Sequence, residues 1–138
     1  MATSLISLDI SANGADLNIT VRFNSQVIYK GNPNTTVTFE VGPAGKHILE
    51  IEMLGKLPEH TQLDAQGNIL QDSLVTVNHL KFDDIDLGQV FYNLAEYHHD
   101  LNGTSTPRVD KFYGTMGCNG VVKLEFSSPV YIWLLENM

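Results

Sequence analysis

The chain has 138 residues, of which 43% are hydrophobic, and its formal net charge is −8. This composition is typical of a globular protein, and we treat residues 1–138 as a single domain. The longest apolar run, residues 130–135, is far shorter than the roughly 20 residues that span a bilayer, which argues against a membrane protein. The basic residues are scattered, which argues against a nucleic-acid partner because phosphates require clustered Lys and Arg.

The N-terminus and the cysteine content bear on compartment. The first residues show no basic segment followed by an apolar one, so the sequence predicts no signal peptide. The location is left undetermined, with the virion and the cytoplasm as the alternatives. The single cysteine, Cys118, excludes an internal disulfide and a zinc site built on several thiolates.

The first half of the chain alternates apolar and polar side chains, which is the pattern of strands with one buried and one exposed face. The first predicted strand contains Ile6, Leu8 and Ile10 and ends at Asn13 and Gly14. Further strands are predicted at residues 17–23, 26–30, 35–41 and 46–54. Turn signals every ~8–12 residues along such strands indicate a β-sandwich or barrel.

The middle of the chain is less regular. Residues 55–71 predict a long connection, and connections of this length inside compact domains are often functional. A strand over residues 74–82 follows, and Ile85 and Leu87 are candidates to continue it past a bend. Residues 94–99 fit either one helical turn or an irregular loop.

The end of the chain is clearer. Asn119 and Gly120 are a strong hairpin signal before another alternating strand. Residues 130–135 fit a buried strand or a short helix capped by Ser128, and β-branching favours the strand for residues 130–133. The predicted core consists of Ile6, Leu8, Ile10, Ile19, Val21, Phe23, Val37, Phe39, Leu49, Ile51, Val75, Val77, Leu124 and Phe126.

An acidic cluster after the strand at 74–82 is the candidate metal site. Asp83, Asp84 and Asp86 offer carboxylate oxygens, which Ca²⁺ prefers as ligands. The preceding connection adds Asp72 if it folds back. The spacing is not that of an EF-hand, and the alternative is a solvated acidic turn.

Aromatic residues are concentrated in the last third of the chain. Sugar binding combines an aromatic ring with fixed polar groups, because a pyranose has apolar C–H faces and a rim of hydroxyls. Tyr92, Tyr97 and Tyr113 lie among polar residues, so we expect them at the surface as candidate sugar contacts, whereas Trp133 is expected in the core.

Catalytic motifs are missing from the sequence. There is no Gly-x-Ser-x-Gly, no phosphate-binding glycine loop and no His-Glu-x-x-His. The pairs Glu96 with Asp100 and Glu50 with Glu52 are the only nominees for paired carboxylates, at spacings common on any acidic surface. His98 and His99 are predicted to be surface residues. Adjacent residues point to opposite faces of a strand and diverge by about 100° on a helix, so these two are not expected to bind one ion together. We expect a protein that is not an enzyme.

Four segments together resemble a known family. They are residues 8–14 (LDISANG), 45–51 (GKHILEI), 72–77 (DSLVTV) and 82–86 (FDDID). Their order is similar to that of small calcium-dependent carbohydrate-binding modules that recognise xylan. The resemblance implies a jelly-roll sandwich in which calcium, held by loop aspartates, coordinates sugar hydroxyls, with Asp72 matching the aspartate before the late strand.

The resemblance covers only the first ~90 residues. The family's Phe-x-Asn-Asp-type segment is replaced by residues 53–56 (MLGK). The last ~45 residues, with Asn119 and Gly120 and then residues 129–135, resemble the endings of small accessory proteins of tailed phages instead.

The sequence thus predicts an all-β, antiparallel sandwich of jelly-roll type. Its predicted function is non-catalytic binding of a carbohydrate, with Ca²⁺ as a candidate cofactor. The alternative is a phage-type virion structural or decoration protein that acts by assembling into an oligomer with virion proteins.

Overall fold

A computed structural model describes most of the chain. The described residues are 3–13, 17–54, 62–63, 65–66, 69–71, 74–99, 106–116 and 119–137. Within them, strands are the main element, as the alternating sequence predicts. The strands are β1 (Ser4–Asn13), β2 (Asn18–Phe23), β3 (Gln26–Gly31), β4 (Thr35–Val41), β5 (Gly45–Leu54), β6 (Gln62–Leu63), β7 (Ile69–Gln71), β8 (Leu74–Phe82), β9 (Ile85–Asp86), β10 (Glu96–His99), β11 (Arg108–Lys111), β12 (Thr115–Met116) and β13 (Gly120–Ser128). Two short helices are α1 (Gln89–Leu94) and α2 (Val130–Asn137).

These strands form two antiparallel sheets and one small pair. Sheet 1 has the order β12-β8-β1-β4, with β9 also paired to β8. Sheet 2 has the order β11-β10-β13-β5-β2-β3. The pair β6–β7 lies in the predicted long connection, most of which is outside the described residues.

The two sheets pack face to face, so the fold is an all-β sandwich, which confirms the predicted fold class; the jelly-roll topology stays a prediction. The inward faces of both sheets supply the core, and rings cross between them. The ring centroids of Phe82 in sheet 1 and Phe126 in sheet 2 are 5.1 Å apart. All the predicted core residues are buried except Phe23 and Phe39, which are partly buried against the core. The ring centroids of these two residues are 4.8 Å apart.

Residues 130–137 form helix α2, so the preference for a strand there was wrong. The Pro129 carbonyl accepts hydrogen bonds from the backbone N–H groups of Ile132 and Trp133 at 3.1 and 3.2 Å, which starts the helix. Val130, Trp133 and Leu134 are buried. Because residues at i, i+3 and i+4 share one face of a helix, this spacing buries an apolar face that β-propensity alone does not reveal.

Residues 96–99 form strand β10 rather than a helical turn or an irregular loop. This strand lies between β11 and β13, and Tyr97 pairs with Val122 of β13. The preceding helix α1 ends at Leu94. Pairing on both sides gives this segment its extended conformation, and pairing between distant segments is invisible to local patterns.

The chain reverses at Asp83 and Asp84 instead of continuing past a bend. Phe82 pairs with Ile85 across this two-residue turn. Both aspartates have positive φ, at 49° and 71°, as in the type I′ turns that suit hairpins, where Asp is one of the favoured residues. The acidic segment is therefore a hairpin tip.

Candidate functional site

The carboxylate of Asp83 binds two other parts of the fold. It accepts hydrogen bonds from the backbone N–H of Leu5 at 2.5 Å and from the hydroxyl of Tyr131 at 2.7 Å. These bonds hold the pKa of Asp83 below its usual range, and the bond from Leu5 has the largest effect. The same contact raises the pKa of Tyr131. Asp83 thereby connects the β8–β9 hairpin to β1 and to α2.

Asp86 also accepts hydrogen bonds from the protein. Its carboxylate bonds to Nδ1 of His79 at 3.1 Å and to the backbone N–H of Gly88 at 2.8 Å. Burial raises the pKa of Asp86, but these bonds and nearby positive charges outweigh it, so the pKa is lowered. Asp84 has no hydrogen-bond partner among the described residues.

Three of the four predicted calcium ligands, Asp83, Asp84 and Asp86, lie among the described residues. In the described part of the chain, no three His, Cys, Asp or Glu side chains lie close enough together to hold a metal ion. Asp72, the fourth predicted ligand, lies outside the described residues. Calcium coordination by Asp72, Asp83, Asp84 and Asp86 therefore stays a prediction.

The three candidate tyrosines lie in different environments. Tyr97 is 8% exposed and belongs to the core, rather than lying at the surface as expected. Tyr92 is half-buried, its hydroxyl donates to the Val77 carbonyl at 3.3 Å, and burial raises its pKa. Both rings pack near that of Phe112. Tyr113 is 78% exposed, so it alone of the three presents most of its ring to solvent.

The two adjacent histidines point to opposite faces of β10. The side chain of His98 is 34% exposed and lies 3.3 Å from the carboxylate of Glu96. His99 was expected at the surface, but its side chain is 5% exposed. Its Nε2 lies 2.6 Å from Asp110, and this hydrogen bond is the main cause of the lowered pKa of Asp110.

The carboxylates nominated for catalysis are not a free pair. Glu50 and Glu52 both lie near Arg22, with Glu52 at 2.9 Å and Glu50 at 3.9 Å. Asp100, the nominated partner of Glu96, lies outside the described residues.

A depression of about 510 Å³ lies where β5 and β13 meet α2. His47 forms part of its wall, bonded to Asn24 at 3.1 Å and to Ser128 at 3.0 Å. Trp133 also lines the depression, and the centroid of its ring lies 5.9 Å from that of Phe126. The lining residues are Asn24, Lys46, His47, Ile48, Glu125, Phe126, Ser127 and Trp133.

A second depression of about 410 Å³ adjoins the first. It lies on the outward face of sheet 2, bounded by the ends of α1 and α2, and shares Ile48, Glu125 and Trp133 with the first. The two therefore form one surface feature, which we call the β13 groove. The second depression is lined by Ile48, Leu94, Glu96, His98, Lys123, Glu125, Trp133 and Asn137.

Strand alternation places these polar groups in the groove. Leu124 and Phe126 of β13 point into the core, so Lys123 and Glu125 point outward. Glu125 pairs with Ile48 of β5, which faces the same way. The sequence shows which side chains of each strand share a face, but not that β5 and β13 are neighbours, so it could not indicate the groove.

Charges of both signs line the groove. Lys123 lies 3.9 Å from Glu50, and Glu96 lies beside His98. Lys46 and Glu125 have no ion-pair partner among the described residues. The groove therefore offers both hydrogen-bond donors and acceptors that are free to meet a ligand.

Comparison with protein families, with curated proteins and with solved structures found no match. Among the described helices, none is long and apolar enough to cross a membrane.

Proposed function

We propose that this protein is a non-catalytic binding module that recognises a glycan in the β13 groove. The observation that supports this most directly is the union of two depressions through Ile48, Glu125 and Trp133. Each is of a size that suits a small ligand, since binding pockets range over about 300–1,000 Å³. Together they offer a longer concave surface, to which Ile48, Lys123 and Glu125 contribute from the outward face of sheet 2.

The side chains of the groove match the chemistry of a sugar. Each sugar hydroxyl both donates and accepts a hydrogen bond, so it pairs with ammonium donors such as Lys46 and with carboxylate acceptors such as Glu125. The amides of Asn24 and Asn137 can do both. Ile48 and Trp133, which line both depressions, supply apolar contact for the C–H faces of a ring.

A glycan array tests the proposal. We expect binding to at least one neutral glycan, measured with calcium and again with EDTA because calcium is a candidate cofactor. Hydrogen bonds to charged groups contribute about 1.5–3 kcal/mol, so Glu125→Gln and Lys46→Ala should each weaken binding about tenfold or more.

Glu40→Gln is the matched control. Glu40 is exposed on β4, in the other sheet, and its substitution changes the net charge as Glu125→Gln does. This control should bind like the wild type. An array without any bound glycan, or groove variants that bind like the wild type, would overturn the proposal.

One observation favours the alternative, a virion structural or decoration protein that acts through assembly. The outward face of α2 exposes apolar residues, with Tyr131, Ile132 and Leu135 at 43%, 54% and 73% exposure. Exposed apolar patches often mark interaction surfaces. Light scattering over a concentration series tests this: an oligomer that Leu135→Lys dissociates supports assembly, whereas a strict monomer at high concentration contradicts it.

A further inference from the structure

The outer edge of β4 is an open strand edge. β4 ends sheet 1, and within the described residues it pairs with β1 alone. In an antiparallel pair, the N–H and C=O of one residue point to the same side, and successive residues alternate. Leu5 of β1 bonds through both groups to Asp83, on the β8 side. The N–H of Ala12 donates to Asn34, on the β4 side.

This alternation decides which backbone groups of β4 are available. Odd-numbered residues of β1 bond toward β8, so the residues paired with them on β4 receive no bonds from β1. These β4 residues are Thr36, Thr38 and Glu40. Each directs its N–H and C=O away from β1, so the open edge offers three donors and three acceptors to a further strand.

The other strand edges that the structure describes carry features that hinder pairing. In β11, three of the four residues are charged, namely Arg108, Asp110 and Lys111. The pairing of β3 with β2 contains a bulge, and β9 and β12 have two residues each. β4 instead pairs with β1 over seven residues without a register shift, and Glu40 is its one charged residue. Sheets protect their edges with short strands, charges and bulges, and β4 has the least of this protection.

Sheet 2 extends one strand farther than sheet 1 on this side. The ring centroids of Phe39 in β4 and Phe23 in β2 are 4.8 Å apart, so β4 lies opposite β2. β3 is the next strand beyond β2, and no described strand of sheet 1 lies opposite it. One more strand therefore has room beside β4, at the usual spacings of roughly 4.8 Å within a sheet and roughly 10 Å between sheets.

The apolar side chains around this place are incompletely buried. Tyr29 of β3 pairs with Val21, a core residue, and therefore faces inward. Tyr29, Ile28, Phe23 and Phe39 are all only partly buried against the core. Every second side chain of a strand added beside β4 would face these residues and complete their burial.

The outward side of the same edge is acidic. Glu40 is exposed, and none of the ion pairs among the described residues includes it. Asp9 of the neighbouring strand β1 lies on the same face, where it accepts a hydrogen bond from Thr36 at 2.8 Å. Opposite charges on adjacent strands attract, so a basic side chain on the outward face of an added strand matches this edge.

From this arrangement we infer that β4 accepts an extended segment of another protein as an additional strand. The segment presents apolar side chains toward Tyr29 and Phe39 and a basic side chain toward Glu40. In this mode of recognition, main-chain hydrogen bonds give affinity and alternate side chains give specificity. The inference goes beyond the proposed glycan site, whose lining includes no residue of β4.

A second copy of this chain does not fit the same place. Antiparallel pairing of two β4 strands requires a two-fold axis perpendicular to sheet 1, which sets both copies of sheet 2 on the same side. Because sheet 2 is one strand wider here, β3 of each copy would then occupy the space of the other copy's sheet 2. A single extended segment avoids this overlap.

Fluorescence anisotropy with labelled synthetic peptides tests the inference. The probe, Val-Lys-Val-Thr-Val-Lys-Val, reads the same in both directions, so it presents valines on one face and lysines on the other in either orientation. Its isomer Val-Val-Lys-Thr-Lys-Val-Val turns the lysines to the apolar side. The peptide Val-Glu-Val-Thr-Val-Glu-Val places like charge against Glu40. We expect the probe to bind and both control peptides to bind several-fold more weakly.

Thr38→Pro tests the edge itself. Because the N–H of Thr38 points away from β1, proline removes the central donor of the edge without removing a bond of sheet 1. It leaves a peptide carbonyl unpaired, so the affinity for the probe should fall about tenfold or more. Thr38→Ala, which keeps the N–H, is the matched control and should bind like the wild type. Thermal midpoints show that both variants fold.

Two charge variants separate this edge from the glycan site. Glu40→Gln should weaken binding of the lysine probe and reduce its advantage over the glutamate peptide. Glu125→Gln removes the same charge in the β13 groove, and it should bind the probe like the wild type.

The outcomes are distinct from those of the glycan experiments. Absence of probe binding, equal binding of the probe and its isomer, or unchanged binding in Thr38→Pro overturns the inference. A dimer in sedimentation that Thr38→Pro dissociates would assign the edge to a second copy and also overturn it. Each of these results leaves glycan binding in the β13 groove in place.

Discussion

The side-chain amide of Asn24 fixes the protonation state of His47. Its Oδ1 accepts the backbone N–H of Ile48 at 2.9 Å, so its Nδ2 faces Nδ1 of His47 at 3.1 Å. Because an amide nitrogen can only donate, Nδ1 must accept. The ring proton is therefore on Nε2, which donates to Ser128 at 3.0 Å.

This arrangement predicts that acid destabilises the protein through His47. A protonated ring would place an N–H at Nδ1 against the amide of Asn24, and burial lowers the pKa of His47 below that of an unfolded chain. Between the two pKa values the unfolded state binds more protons, so the free energy of unfolding falls as the pH drops below about 6.5 and levels off below the folded pKa. Thermal midpoints between pH 5 and 8 measure this.

The comparison uses His47→Gln, which keeps an N–H donor for Ser128 but does not titrate. The decline of the midpoint with acid should be smaller in this variant than in the wild type. His98→Gln, which removes a half-exposed histidine, should retain the wild-type decline. Equal pH dependence in the wild type and His47→Gln would contradict the prediction.

The hydrogen bonds of Asp83 predict a second, more acidic transition. Because they lower its pKa, their contribution to stability is present above about pH 3.9, the unfolded value, and is lost as the pH falls through the folded pKa. Asp83→Asn should lower the thermal midpoint at neutral pH and weaken this transition. Asn also tolerates positive φ, so the backbone of the turn is retained.

Asp84→Asn is the control for the hairpin tip. It removes the same charge in the same turn, but Asp84 has no hydrogen-bond partner among the described residues. Its midpoint should stay close to that of the wild type. Equal effects of the two substitutions would assign the stabilisation to net charge rather than to the bonds with Leu5 and Tyr131.

The close approach of β10 to β13 at Gly120 predicts that a methyl group is not tolerated there. A Cβ at this position would lie 2.5 Å from the carbonyl oxygen of His98 and 2.9 Å from the ring of Tyr97. Gly120→Ala should therefore cost about 1–3 kcal/mol, the usual range for overpacking. Gly42→Ala, where no atom lies within 4 Å of the added Cβ, should have little effect. Urea unfolding of both variants measures the difference.

The packing of the Trp133 ring predicts that α2 contributes strongly to the stability of the sandwich. Its ring lies 5.8 Å from Phe82 of sheet 1 and 5.9 Å from Phe126 of sheet 2, so it contacts both sheets. Trp133→Ala should cost about 3–5 kcal/mol. Ile132→Ala, on the exposed side of the same helix, should change the free energy of unfolding by less than about 0.5 kcal/mol. Similar losses in both variants would show that helix formation, not ring packing, is the main contribution.

A thermal scan tests the predicted calcium site. An ion at about 100 times its dissociation constant adds about 2.7 kcal/mol to stability when it binds only the folded state, which raises the midpoint by several degrees. The prediction requires such a rise with calcium, relative to EDTA and to magnesium, and its loss in Asp84→Asn. Equal midpoints in calcium and EDTA would remove calcium from the proposed function.

The strands of the first half could be predicted because their evidence is local. In β1, β2, β4 and β5, apolar and polar side chains alternate along the sequence, and this alternation shows which side chains face the core. The pattern can be read without knowing which strands are neighbours. Segments whose structure depends on distant partners were misread. Strand β10 is extended because it pairs with β11 and β13, and α2 is helical with its apolar face on the sandwich.

The candidate site shows the same limit. The carboxylate of Asp83 is bound by Leu5 and Tyr131, which are 78 and 48 residues away in sequence. Such partners decide whether an aspartate is a ligand or a structural acceptor. The groove likewise depends on β13 lying beside β5, and no residue in either strand specifies the other.

The position of β13 has a consequence for how the chain folds. It is the last strand in sequence, yet it lies inside sheet 2 between β5 and β10. Until it is synthesised, β5 and β10 each present an open edge, and such edges promote aggregation. Folding must also wait for contacts between residues far apart in sequence, which slows it. The groove, to which this strand contributes in both depressions, therefore cannot form before β13 has been synthesised.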